Sequence, residues 1–282
     1  MQAEARAFPP QLYLIGAQKA GTTSLAYLLN QHPEIAVSDP KEPGFFSVNF
    51  ERGWDWYRQC FPDHLPSVLL DASTGYTMAS RASDLPPDSV ALRIKKHAPE
   101  ARFIYVLRDP VERTISAYWH DKRAGRPVGS LREAVSSVAF YTDVSRYHWQ
   151  IAAYLSHFRQ DQFLFVDFRA LTQDPVGIAR QCLRFAGLRD DVPLDLGRPR
   201  NSAFEFNSIG KMLIDLFPDE RTAGRFIGAI KAATPGFVHQ AAKAAMTKDP
   251  DQIGAEDRDW LASLFSLDNK RMEALVGFRF YQ

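Results

Sequence analysis

The chain has 282 residues, 45% of them apolar and 24% charged, with a formal net charge of +1. Those values fit a globular protein long enough to bury a substantial core. They exclude a global attraction to nucleic acid, so any anion site has to be built from local charge.

Cys60 and Cys182 have no metal-like spacing and make no disulfide framework, which points to a reduced, cytoplasmic setting. The N-terminal MQAEARAFPP holds no apolar run resembling a signal peptide, and no segment reaches the length needed to cross a membrane. Residues 1–10 read as a loose arm. Leu12–Ile15 is a short apolar strand ended by Gly16. Leu25, Leu28 and Leu29 form a helical stripe, and His32-Pro33 is expected to end that helix. Residues 36–50 contain Pro40, Pro43 and Gly44 and read as a loop. Trp54, Trp56, Tyr57 and Phe61 have near-helical spacing and read as core. Val68–Leu70 is a second buried strand, Ser89–His97 a helix and Arg102–Leu107 a third strand. Asp109 can cap a helix with Pro110 at its first position and Glu112 completing a capping box. That helix should run to about Lys122 and break over Gly125–Gly129. Phe163–Asp167 is a fourth strand, and Asp174-Pro175 opens a helix that Gly187 ends. Residues 189–207 read as a long loop and 208–246 as less regular helix. Asp257–Val276 reads as an amphipathic helix with Leu261, Leu264, Phe265, Met272 and Leu275 on one face. Short buried strands alternating with helices predict an α/β fold, a single domain over 1–282 whose parallel sheet is covered on both faces. Ligand sites in such sheets lie at the carboxyl ends of strands.

Two of those ends carry motifs. YLIGAQKAGTTS (13–24) is a strand, a glycine-bounded turn and a helix start, which together present backbone N–H groups to a phosphate. Gly16 and Gly21 are in register with a Walker A loop. Thr22, however, stands where its lysine belongs, and the only lysine, Lys19, is inside the loop. In FIYVLRDPVERTISAYWH (103–120), Arg108 ends a strand and Ser116 lies about two turns into the following helix. An arginine with a serine hydroxyl can grip a phosphate monoester through charge-assisted hydrogen bonds. A third stretch, KEPGFF (41–46), places a glutamate in a loop.

The first motif resembles the 5′-phosphosulfate loop of sulfotransferases that use 3′-phosphoadenosine 5′-phosphosulfate (PAPS). The second resembles their 3′-phosphate motif, R-x-P-x-x-R-x-x-S-x-Y, with Arg108, Pro110, Arg113, Ser116 and Tyr118 in place. KEPGFF resembles the K-E-x-x-F-F of the branch that sulfates polysaccharides. HPEI (32–35), LLDASTGY (69–76), VDFRAL (166–171) and DP (174–175) extend the likeness over most of the chain. The heparan-sulfate type is nearer than the cytosolic steroid and phenol type.

The resemblance implies a P-loop-NTPase-like fold, PAPS as donor, adenosine 3′,5′-bisphosphate as product and a saccharide or small-metabolite acceptor. It implies cofactor contacts from Gln18, Lys19, Ala20, Gly21, Thr22, Thr23 and Ser24, from Arg108 and Ser116, and from a late loop with Arg198, Arg200 and Asn201. Sulfuryl transfer is an in-line displacement governed by positioning and electrostatics. Lys19 is expected to neutralise the leaving nucleotide and Glu42 to act as general base, with His120 the second candidate. Lys41, Phe45, Phe46 and Tyr76 are expected to face the acceptor, and residues 203–250 to shape its cleft. No metal is required. One position departs from the pattern: saccharide-sulfating relatives carry lysine in E-K-x-P-x-Y, where this chain has Ala72. The alternatives are a P-loop-type nucleotide kinase, disfavoured by Thr22 and the Arg108/Ser116 pair, and a non-catalytic nucleotide-binding protein.

Overall fold

The apolar runs become five parallel strands: β1 (Leu12–Gly16), β2 (Ile35–Val37), β3 (Val68–Asp71), β4 (Arg102–Leu107) and β5 (Phe163–Asp167), in the order β2-β3-β1-β4-β5. This computed structural model describes residues 8–80, 88–197, 205–206, 247–248 and 253–280. Every residue of β1 is buried, as is β4 from Phe103 to Leu107. Successive side chains of a strand point to opposite faces, so burial at every position means that both faces are covered. The register places Tyr13 beside Phe103 and Leu12 beside Leu70, which makes β1 the centre of the core.

The helices are α1 (Thr22–Leu29), α2 (Gly53–Arg58), α3 (Ser89–His97), α4 (Pro110–Arg123), α5 (Leu131–Ser137), α6 (Phe140–Asp143), α7 (Tyr147–Leu155), α8 (Phe168–Gln173), α9 (Pro175–Phe185) and α10 (Ala255–Val276). α1 packs with α9, while α10 packs against α7 and α4. A short antiparallel pair, β6 (Glu205–Phe206) with β7 (Thr247–Lys248), has β6 against α4. The region 207–246 between them, including its expected helices, lies outside the described residues.

Several expectations need correction. β2 falls where a loop was expected from residue 36. Three residues, Ile35–Val37, carry no periodicity of their own, and pairing with Val68–Leu70 makes them a strand. α1 stops at Leu29, ahead of His32-Pro33. The Asn30 N–H closes the helix on the Ala26 carbonyl and the Gln31 N–H on that of Leu28, and the Asn30 side chain accepts from the Val37 N–H at 3.0 Å. Asp109 does cap α4, taking the Glu112 N–H at 3.0 Å, but the capping box is not completed. The Glu112 carboxylate turns instead to Arg108, 3.9 Å away, and to Arg258 of α10. In α10, Leu261, Phe265 and Met272 are buried, whereas Leu275 is exposed and leaves the expected face.

Candidate active site at the carboxyl ends of the strands

The loop from Gly16 to Gly21 leaves the central strand and turns into α1. At Gly16 the chain has no room for a side chain: a Cβ would lie 2.3 Å from Thr77 Oγ1 and 2.9 Å from the Tyr105 ring. Lys19 (φ 69°) and Gly21 (φ 77°) are both left-handed, which curls the loop back over its own amides. Ala17 N–H is held by Val106 O at 2.8 Å and Ala20 N–H by Ala17 O at 3.1 Å. α1 then begins with no side-chain cap and no acid in its first turn. Its leading amides lack acceptors within the helix and its dipole is positive there, so an anion is favoured. Thr22 is buried, whereas Thr23 and Ser24 are exposed at this end; Gln18 is half-buried and Ala20 buried.

Cations converge on this loop. Arg108 donates from Nη1 to the Lys19 carbonyl at 2.9 Å and lies over the Phe168 ring at 4.9 Å. Burial lowers the pKa of the Lys19 ammonium, and the guanidiniums of Arg123 and Arg108 lower it further. On α4 the positions 112, 116, 120 and 123 follow helical spacing, so Glu112, Ser116, His120 and Arg123 form one stripe. His120 is at the surface of that stripe. Partial burial and then Lys19 lower its pKa, which favours the neutral imidazole. Arg113 is completely buried behind the stripe, bound to Ser145 Oγ at 2.6 Å and Tyr141 O at 2.7 Å. It anchors α4. Arg108, Glu112, Phe168 and Phe280 also bound a cleft of about 220 Å³ beyond the loop.

The glutamate loop lies beside this centre. Glu42 is half-exposed; its Oε1 is 2.9 Å from Lys41 Nζ and its Oε2 accepts from Thr74 Oγ1 at 2.9 Å. Thr74 opens the one-turn helix Thr74–Thr77 after β3. At the other end of that turn, Thr77 Oγ1 donates to Ile15 O at 2.6 Å, directly beneath the phosphate loop. One turn therefore touches both the glutamate and the loop.

The expectation that Phe45, Phe46 and Tyr76 face the acceptor is corrected. Phe45 and Phe46 are 0% exposed and Tyr76 is 3% exposed. Phe45 stacks on Tyr57 with centroids 4.1 Å apart, and Tyr76 turns its hydroxyl inward to Asp71 at 2.6 Å. Burying the two phenyl rings holds the loop down and leaves Glu42 at its exposed shoulder. Lys41 is the one residue of that expected group that stays at the surface, beside Glu42. Arg198, Arg200 and Asn201 lie outside the described residues, as does most of 203–250.

Sequence reasoning missed Arg123, whose signal was the i, i+4, i+7 continuation of the stripe from Ser116. It also passed over Asp71, which stands at the acidic position of the same E-K-x-P-x-Y pattern that Ala72 departs from and is fully buried. Ala72, at the departing position, is fully buried.

Residues 9–197 match the family described as "Sulfotransferase domain". Heparan sulfate glucosamine 3-O-sulfotransferase 3B1 of Mus musculus is 32% identical over 190 residues, which is 64% of this chain and 46% of that protein. Bifunctional heparan sulfate N-deacetylase/N-sulfotransferase 2 of Homo sapiens is 29% identical over 199 residues, 64% of this chain and 22% of that protein. The chain thus spans less than half the length of these curated relatives. Among solved structures, a sulfotransferase from Alicyclobacillus acidocaldarius superposes with a TM-score of 0.65 at 24% identity, covering 96% of this chain and 97% of that one.

Proposed function

The chain belongs to the sulfotransferase domain family, and from that premise we propose that it moves the sulfuryl group of PAPS to a hydroxyl or amine of a saccharide. The observation that carries the reading is the convergence of Lys19, Arg108 and Arg123 on an uncapped helix start, with Glu42 one turn away. A lysine depressed first by burial and then by neighbouring guanidiniums marks a site that an anion would relieve.

In this reading the amides of 18, 19 and 21–23 and the hydroxyls of Thr22, Thr23 and Ser24 hold the 5′-phosphosulfate. Arg108, on the wall of the cleft, reads the 3′-phosphate with Ser116. Lys19 meets the charge that grows on the bridging oxygen as adenosine 3′,5′-bisphosphate leaves, an interaction stronger in the transition state than before it. Arg123 supplies the second positive charge that buried Ala72 cannot. Glu42 takes the acceptor's proton. The saccharide acceptor is supported by the heparan sulfate that appears in both relatives' names. A reducing, cytoplasmic setting belongs to the same proposal and is supported by Cys60 and Cys182 being free and buried.

Calorimetry tests the donor. The chain should bind adenosine 3′,5′-bisphosphate on the order of 10–100-fold more tightly than adenosine 5′-monophosphate, the value of one charge-assisted contact set. Arg108→Ala should erase most of that difference. Equal affinity of the unmodified chain for the two nucleotides would remove the assignment.

A further inference from the structure

Beneath the glutamate loop lies a buried carboxylate that the transfer chemistry does not use. Asp71, at the carboxyl end of β3, is completely buried. Its Oδ1 accepts from Ser73 Oγ at 2.6 Å, and its Oδ2 accepts from the hydroxyls of Tyr57 and Tyr76, each at 2.6 Å. Two of those three donors reach onward. Ser73 Oγ accepts from the Gly44 N–H at 2.9 Å, and Tyr76 OH accepts from the Phe46 N–H at 3.2 Å. Both amides belong to the KEPGFF loop. Tyr57 makes no such onward bond to a loop amide among the described residues.

The proton polarity of this arrangement is set at one end. A hydroxyl can rotate to donate or accept, and an ionised carboxylate can only accept. Asp71 therefore draws the hydroxyl protons of Ser73 and Tyr76 toward itself. That leaves their lone pairs facing Gly44 and Phe46, as those amides require. A neutral amide in place of Asp71 would offer N–H groups on one side. It would turn one hydroxyl around, setting O–H against N–H at the loop. Burial raises the Asp71 pKa to about 6, against the lowering effect of its three hydroxyl donors, so the carboxylate form persists at neutral pH.

We propose that Asp71 is a positioning residue for Glu42: through Ser73 and Tyr76 it fixes the two loop amides that set where the glutamate stands over the phosphosulfate loop. The proposal rests on the sulfotransferase reading for its catalytic consequence and on the hydrogen bonds alone for its structural one.

Two measurements on the full chain test it. The first is turnover of radiolabelled PAPS with an N-sulfated glucosaminoglycan oligosaccharide. The second is amide hydrogen exchange at Gly44 and Phe46. Asp71→Asn should lower kcat by about 10–100-fold, the scale of a small misplacement of a reacting group. It should leave the affinity for adenosine 3′,5′-bisphosphate within about 2-fold and speed exchange at one or both amides by about 10-fold or more. Tyr76→Phe should do the same at Phe46, and Ser73→Ala at Gly44, so the test stands even if Asp71→Asn fails to fold. Tyr57→Phe removes an equal hydrogen bond from the same carboxylate and should keep kcat within about 3-fold and both amides protected. In a Glu42→Gln background, Tyr76→Phe should cost less than about 2-fold more, because its effect runs through Glu42.

Unchanged exchange in Tyr76→Phe and Ser73→Ala overturns the relay. So does a Tyr57→Phe loss as large as theirs, or an undiminished loss in the Glu42→Gln background. Absence of label transfer by the unmodified chain would sink the sulfotransferase reading instead, and the exchange rates would still decide whether Asp71 holds the loop.

Discussion

Lys19 and Glu42 divide the proposed chemistry between donor and acceptor, and single substitutions should separate them. Lys19 sits inside the loop with a left-handed backbone and a pKa lowered by burial and by nearby arginines. Its charge matters most when the bridging oxygen becomes anionic. Lys19→Ala should therefore lower kcat by about 10²–10³-fold while nucleotide affinity falls less. A transfer rate that survives the substitution would show that the charge is met elsewhere. Glu42→Gln keeps the shape and the Thr74 contact but cannot take a proton. Turnover should fall by about 10²–10⁴-fold with nearly unchanged affinity for adenosine 3′,5′-bisphosphate. If that variant remains active, His120, on the α4 stripe beside Lys19, is the next base to examine by the same substitution logic. Both residues could be placed in loops at the site from motifs that fix residue type and spacing. Orientation was not. A pair such as Phe45-Phe46 carries no periodicity, so only packing against Tyr57, Trp54 and Tyr76 reveals that it anchors the loop rather than meeting the acceptor.

At the scale of elements, the turn after β3 joins the two halves of the site, and its buried carboxylate leaves a mark on stability. Asp71 is raised from the usual 3.8 to about 6, chiefly by burial. The phenols of Tyr13, Tyr57, Tyr76 and Tyr154 around it are raised too and stay neutral across this range. A carboxyl that binds its proton more tightly when folded stabilises the fold fully below about pH 4, and that contribution is gone above about pH 6. The unfolding free energy of the unmodified chain, relative to Asp71→Asn, should thus fall by roughly 3 kcal/mol between those limits, the other groups cancelling in the comparison. Denaturant unfolding at several pH values measures it, and a difference that stays flat with pH would mean that Asp71 is not held as described. Elements with a strong local signal were read well: α3 and β5 match their expected limits, and so does β4. β2 and the helices α5, α6, α7 and α8 were missed, because segments of three to nine residues owe much of their conformation to partners distant in sequence.

For the molecule as a whole, the parallel sheet dictates where the site lies. β1 and β4 are adjacent, so the loop after one and the helix after the other meet at the same carboxyl edge; β3, on the other side of β1, brings the turn that carries the Glu42 contact. Alternating buried strands and helices predicted that architecture, and two motifs predicted that Lys19 and Arg108 stand at its carboxyl edge. Neither could order the strands, so neither could bring the charge of Arg123, fifteen residues beyond Arg108, to bear on the pKa of Lys19. The most direct measurement is incubation of the full chain with PAPS labelled in its sulfate and a glucosamine-containing oligosaccharide, followed by separation of saccharide, nucleotide and inorganic sulfate. Label should appear in the saccharide with one equivalent of adenosine 3′,5′-bisphosphate formed per transfer, and the rate should drop at least about 100-fold in Lys19→Ala. Label that stays on the nucleotide, or leaves only as inorganic sulfate at a rate indifferent to Lys19, would contradict it.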